Sequence, residues 1–418
     1  MTQFEGRTGT LTAAPTTGRL RRGDPGFRRL EVALFLAGVA TFALLYATQP
    51  LLPLLAGDYG VTAAGASLTV SVATGALAVA VLPVSALSEH RGRVRVMTGC
   101  LAVACVLGAV AAAAPTLGGL LAVRGAQGVA LAGLPALAVA YLGERVHPGS
   151  LGQAVGLYVG GTSIGGLAGR LLATGVAGVA GWRWALLAIA AGTAVCATAF
   201  RVALPPVRAG GSPAPSADSE ASRRPAAPVL AALRGHLTDP GMQLLLVVPF
   251  LVMGAFVAVY NYLVFRLVAP PFGLPQADVG LVFLAYLAGT GSSAVAGRLT
   301  DRYGRRRVLL GAIALFAAGT LITLPAHLSA VAVGLVILTA GFFAAHSTAN
   351  GWVAARARAF RAQAAALYTL CYYLGSSVLG WLGGVPYGAG HWVALVGFVI
   401  GLLAVAIASI SRVAEPAP

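Results

Sequence analysis

The chain has 418 residues, 58% hydrophobic and 10% charged, with a mean hydropathy of +0.84, which excludes a soluble domain with an ordinary polar surface. Its net charge of +16 comes from 28 arginines and no lysine, and these fall in short loops between apolar runs rather than in one patch, so no nucleic-acid partner is expected. The four cysteines, Cys100, Cys105, Cys196 and Cys371, sit inside apolar runs without metal-ligand spacing, and neither a metal nor a cofactor is expected.

Residues 1–30 are polar and lack the short apolar core and cleavage site of a signal peptide, so they read as a cytoplasmic tail. From Glu31 to Arg412, apolar runs of about 20 residues recur, each long enough to cross a hydrocarbon core of roughly 30 Å as a helix. Twelve spans are predicted: 31–55, 64–87, 95–114, 117–142, 151–175, 183–204, 241–267, 277–299, 307–325, 329–355, 362–384 and 390–411. With the N-terminus inside, 24 of the 28 arginines fall on the cytoplasmic side, which places both termini there.

The first span carries Tyr46 and Gln49, and the loop after the second reads SALSEHRGR, with Glu89, Gly92 and Arg93. In the fourth span stands Arg124-Gly125-Ala126-Gln127-Gly128. An arginine inside a span costs at least ~2.5 kcal/mol on insertion scales, so Arg124 faces a cavity or a buried partner, or else snorkels to the outer interface. The fifth span places Gly161, Gly165 and Gly169 on one face, suited to close helix packing, and then Arg170. Arg170 lies deep in the span: either a cavity cation favouring an anionic or zwitterionic substrate, or a structural pair.

Residues 205–240, rich in Pro, Ala, Ser and Gly, read as a cytoplasmic linker between six-span halves at 31–204 and 241–411, with a final tail at 412–418. The seventh span carries Tyr260, Asn261 and Tyr262. After the eighth comes GRLTDRYGRRR, in which Gly297 would allow close helix approach, Gly304 a tight turn, and Asp301 an ion pair latching the inner gate with Arg302 and Arg305 alongside. The tenth span holds His346; the eleventh holds Tyr368, Tyr372, Tyr373 and Ser376. No carboxylate falls mid-span, so His346 is the remaining mid-span group able to titrate near neutral pH, and otherwise a histidine satisfied by a neighbouring hydroxyl or carbonyl.

The halves repeat. Gln153-Ala154 with Leu157-Tyr158 recurs as Gln363-Ala364 with Leu367-Tyr368, Gly165 as Gly375, and Gly92-Arg93 as Gly304-Arg305, at an offset near 210 residues. A same-sense repeat of six spans implies two halves about an axis along the membrane normal, with a cavity between them near the midplane.

These motifs carry a family resemblance. GRLTDRYGRRR resembles the loop between the second and third spans of the major facilitator superfamily (MFS), G-x-L-x-D-R-x-G-R-R, and SALSEHRGR is a weaker copy with Ser85, Glu89 and His90 at variant positions. Arg124 to Gly128 resembles the family's R-x-x-Q-G, whose arginine is associated with proton coupling. The glycine-rich fifth span resembles the antiporter motif G-P-x-x-G-G, with Gly166 in place of the proline and Arg170 in place of the final glycine. The resemblance implies an all-α fold of twelve transmembrane helices in two pseudo-symmetric halves. It further implies a monomeric secondary transporter of a bacterial plasma membrane, close to the drug and sugar efflux group that includes arabinose-efflux-permease-like proteins.

The expected function is proton-coupled export of a small organic solute by alternating access. The substrate cavity is expected to include Tyr46, Gln49, Arg170, Tyr260, Asn261, Tyr262, His346 and Tyr372, with Arg124 and His346 as proton-coupling candidates. A facilitator or anion exchanger without proton coupling is the alternative, since arginines but no carboxylates fall within spans. A multispanning enzyme or receptor is remote because no catalytic cluster of His, Asp, Glu or Cys is visible. With no lysine a P-loop is impossible, so ATP is not the expected driver.

Overall fold

The computed structural model describes residues 19–204, 233–357 and 360–413; most of the expected linker, most of the N-terminal tail and most of the C-terminal tail lie outside them. The twelve apolar runs form twelve helical units, several of them broken. The first is α1 (Pro25–Leu45), a 3-10 turn (Gln49–Leu51) and α2 (Leu52–Tyr59). α3 (Ala63–Arg91) and α4 (Arg93–Ala112) follow, then a fourth unit split into α5 (Leu117–Leu131) and α6 (Pro135–Arg145), then α7 (Pro148–Ala180) and α8 (Trp182–Ala203). The second six begin with α9 (Pro240–Val268). The eighth unit comprises α10 (Gln276–Val279), a 3-10 stretch (Gly280–Ala285) and α11 (Tyr286–Tyr303). α12 (Arg305–Ile322), α13 (Leu328–Arg356), α14 (Arg361–Leu382) and α15 (Gly384–Ser411) complete the chain.

Among the described residues, nine of these units are long and apolar enough to cross a membrane by length and composition. The other three are the unit broken between α5 and α6, α12, which opens on three arginines, and the more polar α14. Twelve crossings put both described chain ends on one face, called here the tail face. The opposite one is the far face. On the tail face Leu20 pairs with the loop before α7: its N–H donates to the Arg145 carbonyl (2.8 Å), and its carbonyl accepts from the His147 N–H (2.9 Å).

The breaks have local causes. Pro50 follows α1 closely and Pro135 opens α6, each lacking the N–H that would continue a helix. The predicted boundaries miss these breaks, and they miss that the last unit starts at Gly384 and bends at Gly390 and His391.

Glycine sets the closest packing. On α7, a side chain at Gly161 or Gly165 would overlap the Phe35 or Val39 carbonyl of α1, and one at Gly169 would press on Ala43. In the second half Gly375 of α14 meets the Phe250 carbonyl of α9 in the same way. Gly165 with Val39 and Gly375 with Phe250 share one offset to within a residue, so the internal repeat is a repeat of the same helix seam. In a bilayer such backbone contact replaces the hydrophobic drive that packs soluble helices. Gly92 and Gly304, the other repeat pair, take φ of 84° and 83° between consecutive helices, a left-handed turn that other residues resist.

One ion pair outside the spans makes a modest prediction. Asp239 caps α9 through the Gly241 N–H (3.0 Å) and accepts from Arg356 Nε and Nη2 (2.7 and 2.8 Å). That guanidinium holds the Asp239 carboxyl below its usual range. A carboxyl lowered on folding stabilises above its unfolded pKa, and the contribution disappears as pH falls through the folded value. Asp239→Asn should therefore lower the melting temperature at pH 7 by an amount corresponding to at most ~1 kcal/mol, since the pair is partly exposed. The difference should close in acid, and thermal melts across pH check it.

Candidate functional site

The broken first unit is where the site begins. Arg124, 1% exposed, donates Nε to the Thr69 carbonyl (3.0 Å), Nη1 to the Leu44 carbonyl (3.0 Å) and to Gln127 Oε1, and Nη2 to the Leu45 carbonyl. Leu44 and Leu45 end α1; the guanidinium satisfies the Leu45 carbonyl, reinforces the Leu44 carbonyl beside its 3.3 Å bond from the Ala47 N–H, and lies where the helix dipole is negative. Gln127 Nε2 donates to the Ala104 carbonyl (2.9 Å). Arg124 therefore faces the interior of the first half, fully engaged, and neither reaches the outer interface nor lines a cavity.

With α1 stopped there, the 3-10 turn places Gln49 in the interior between the halves. Arg170 of α7, 3% exposed, donates both Nε (2.8 Å) and Nη2 (2.6 Å) to Gln49 Oε1, and Nη1 to the Gly166 carbonyl (2.7 Å). Gln49 Nε2 in turn donates to Asn261 Oδ1 of α9 (2.8 Å). The Arg170 guanidinium carbon lies 4.6 Å from the Tyr46 ring centroid and 5.0 Å from those of Phe283 and Tyr286. Three rings and two amides thus surround one buried cation.

No carboxylate among the described residues approaches Arg170. Glu144 pairs with Arg93, Asp58 with Arg183, and Asp239 with Arg356; Glu31 accepts from Gln153; Asp24, Glu89, Asp278 and Asp301 are exposed. The Tyr46 hydroxyl and Ser376 Oγ are buried beside one another.

From this box the aromatic wall continues into the second half. Tyr286 lies edge-on to Phe343 (5.9 Å), and Phe342 stacks at 6.1 Å on His346. The Tyr372 ring lies 4.7 Å from the imidazole. Tyr368 Oη sits 2.8 Å from His346 Nδ1 and donates to the His346 carbonyl at 3.0 Å. His346, Tyr368 and Tyr372 pack together with Val252 and Met253, with no room between them for a water molecule. Tyr260 is buried against Thr339 (2.8 Å) in the interior of the second half.

The two halves meet unevenly. Among the described residues four hydrogen bonds join them: Gln49 to Asn261, Gln276 to the Pro50 carbonyl (2.7 Å), Ser67 with Tyr262 (2.9 Å), and Ser377 to the Ser71 carbonyl (2.7 Å). All lie at the level of Gln49 or nearer the far face. On the tail side Glu89, Gly92, Asp301, Arg302, Gly304 and Arg305 are exposed. The molecule is closed toward the far face and open toward the tail face.

The expected latch is correspondingly undone. Asp301 makes no ion pair among the described residues, Arg302 lies over its neighbour Tyr303 at 5.2 Å, and Arg93 pairs within its own half with Glu144 at 2.7 Å. Gly297 departs from expectation: a side chain there would meet nothing within 4 Å, so it is not a close-approach glycine in this state.

Of the residues singled out in the sequence, Tyr46, Gln49, Arg170 and Asn261 converge on one cluster, and His346 and Tyr372 on the adjoining wall. Tyr262 belongs to the far-face seam. Phe283, Tyr286 and Glu144 were not singled out; the two aromatics sit in the apolar run GLVFLAY, which carries no motif. A charged residue one helix away from Arg93 was the signal for Glu144.

Comparison with known proteins agrees with this fold. The Major Facilitator Superfamily profile matches residues 34–289 and 251–418. The chain is 38% identical over 388 residues to an uncharacterized MFS-type transporter, YybF, of Bacillus subtilis, covering 93% of this chain and 94% of that protein. It is also 38% identical over 388 residues to the inner membrane transport protein YnfM of Escherichia coli, covering 93% and 91%. Among solved structures it is similar to a bacterial homolog of the human lysosomal transporter Spinster, in an inward-facing and unoccupied conformation, with TM-score 0.71, 16% identity and coverage of 93% and 95%. The nucleoside transporter NupG, in a mutant form, gives TM-score 0.71 at 15% identity, covering 91% and 99%.

Proposed function

The chain belongs to the Major Facilitator Superfamily, as a multi-pass membrane transporter and not an enzyme, and from that premise we propose that it is a proton-coupled exporter of a small organic solute. The observation that carries this reading is the uneven seam between the halves: four hydrogen bonds near the far face, none toward the tail face among the described residues, and a polar and aromatic wall at the level between. Rocking about that level exposes the wall to either side in turn. The arginine-rich loops support a cytoplasmic tail face in a bacterial inner membrane, and on that reading this state takes up its load from inside. The drug and sugar efflux group is the subgroup we assign, with a monomer as the working unit.

Of the two proton-coupling candidates, His346 fits better. Arg124 has its donors committed to carbonyls and to Gln127. Tyr368, by contrast, serves His346 in both charge states. Its hydroxyl donates to Nδ1 of the neutral ring, or accepts from the imidazolium Nδ1–H while donating to the His346 carbonyl.

The test is flux from proteoliposomes loaded with a panel of sugars, cationic drugs and aromatic carboxylates, followed by mass spectrometry under an imposed pH gradient at clamped membrane potential. A gradient-driven flux of at least one member is expected. His346→Gln should lose most of the gradient stimulation, about tenfold, while retaining solute exchange. Flux indifferent to the gradient would instead support the anion exchanger or facilitator, which the unpaired Arg170 favours.

A further inference from the structure

Resting on the transporter reading, we propose that the solute is an aromatic carboxylate whose carboxyl group takes the place of Gln49 Oε1 on Arg170. The placement argues for it directly. A guanidinium offers two parallel N–H bonds along its Nε and Nη2 edge, the geometry that matches the two oxygens of a carboxylate. In this state that edge is met by a single neutral amide oxygen, at 2.8 and 2.6 Å. Gln49 Oε1 therefore occupies the position of a carboxylate without supplying its charge. A carboxylate would give Nε and Nη2 an oxygen each in place of one shared acceptor, and would add the opposite charge that the amide lacks.

The surroundings select the rest of the ligand. Tyr46, Phe283 and Tyr286 hold their rings against the same cation, and Tyr286 alone of the three keeps some exposure. A ligand ring joining this box would stack where the wall toward Phe343 and His346 begins. A cationic solute meets only a fixed positive charge there, and a neutral one gains nothing over the amide already in place.

Displacement also gives the solute a lever. Gln49 Nε2 forms the hydrogen bond to Asn261 that joins the halves deepest in the molecule. When a carboxylate takes Arg170, Gln49 loses both bonds that orient its amide, and the Asn261 contact loses its anchor. Occupancy of the site thus loosens the far-face seam, which is the step that must precede release to the far side.

The experiment uses the purified full chain in nanodiscs, with benzoate and 2-naphthoate as probes and their uncharged amides as controls, by calorimetry. At least one carboxylate is expected to bind at least tenfold more tightly than its amide, a difference of about 1.4 kcal/mol. Arg170→Gln should abolish that preference, and Arg170→Lys should retain the sign with reduced size. The wild-type comparison keeps the proposal open to refutation if the variants fail to fold. For the lever, a cysteine-free chain carrying Thr116→Cys and Ala326→Cys, both exposed in loops at the far face, takes spin labels. Saturating carboxylate should lengthen the distance between them, and Gln49→Leu should lengthen it without ligand. Equal binding of acid and amide, no binding of either acid at millimolar concentration, or a distance unmoved by bound ligand would overturn the proposal. Gradient-driven flux of a neutral or cationic solute in the same preparation would leave the transporter reading standing while removing this one.

Discussion

Arg124→Leu is expected to prevent accumulation of folded protein, the largest single-residue effect in the molecule. The substitution leaves the Leu45 carbonyl and Gln127 Oε1 without a donor, and takes the guanidinium away from the Leu44 and Thr69 carbonyls, in a buried, lipid-surrounded interior. Each buried polar group left unpaired costs roughly 1–3 kcal/mol, so two of them remove a large share of the stability of a typical fold, about 5–15 kcal/mol. Arg124→Lys should recover little. A single ammonium cannot reach carbonyls on both α1 and α3 from one point, as the planar guanidinium does. Fluorescence size-exclusion profiles and melting temperature read the result directly. An Arg124 variant that folds and melts like wild type yet loses only its response to a pH gradient would return this residue to the proton-coupling role implied by the family resemblance.

Gly165→Leu and Gly375→Leu are expected to be nearly as damaging, and to be so in parallel. At each position the added atoms overlap a backbone carbonyl, Val39 in one half and Phe250 in the other, and backbone cannot rotate away as a side chain does. Overpacking typically costs about 1–3 kcal/mol even where side chains can adjust, and here whole helices must separate. Even alanine should lower the melting temperature measurably. Gly156 and Gly160 provide the control on the same helix, since a side chain at either meets nothing within 4 Å. Alanine there should be tolerated or mildly stabilising, because glycine is a poor helix former by about 1 kcal/mol. If all four alanine variants melt alike, the seam is not what holds these helices together.

The fold was legible because bilayer crossing imposes a length and a polarity that few other constraints can mimic. The repeat was legible for a physical reason too. Where two backbones touch, only glycine fits, so Gly165 and Gly375 had to recur at the same place in each half. The site was read less completely. Arg170, Gln49 and Asn261 stand out as polar residues in apolar company, and their convergence follows from the cost of burying a polar group alone. Phe283 and Tyr286 do not stand out, since an aromatic in a span has many uses. The break after Leu45 was only half legible. Pro50 marks it locally, but Arg124, some eighty residues further on, caps carbonyls that a local reading assigns to a continuous helix. The expected latch is not formed in this state: Asp301 and its arginines stand exposed on the tail side.

The account rests on movement of one half against the other, and Gly75 with Ser377 offers the most direct test. A side-chain carbon at Gly75 would lie 3.3 Å from the Cβ of Ser377, close to the spacing that a disulfide bridges. In a cysteine-free chain, Gly75→Cys with Ser377→Cys should cross-link on mild oxidation, stop gradient-driven flux from proteoliposomes, and recover flux on reduction. Undiminished flux with the cross-link formed in nearly every molecule would contradict alternating access between these halves.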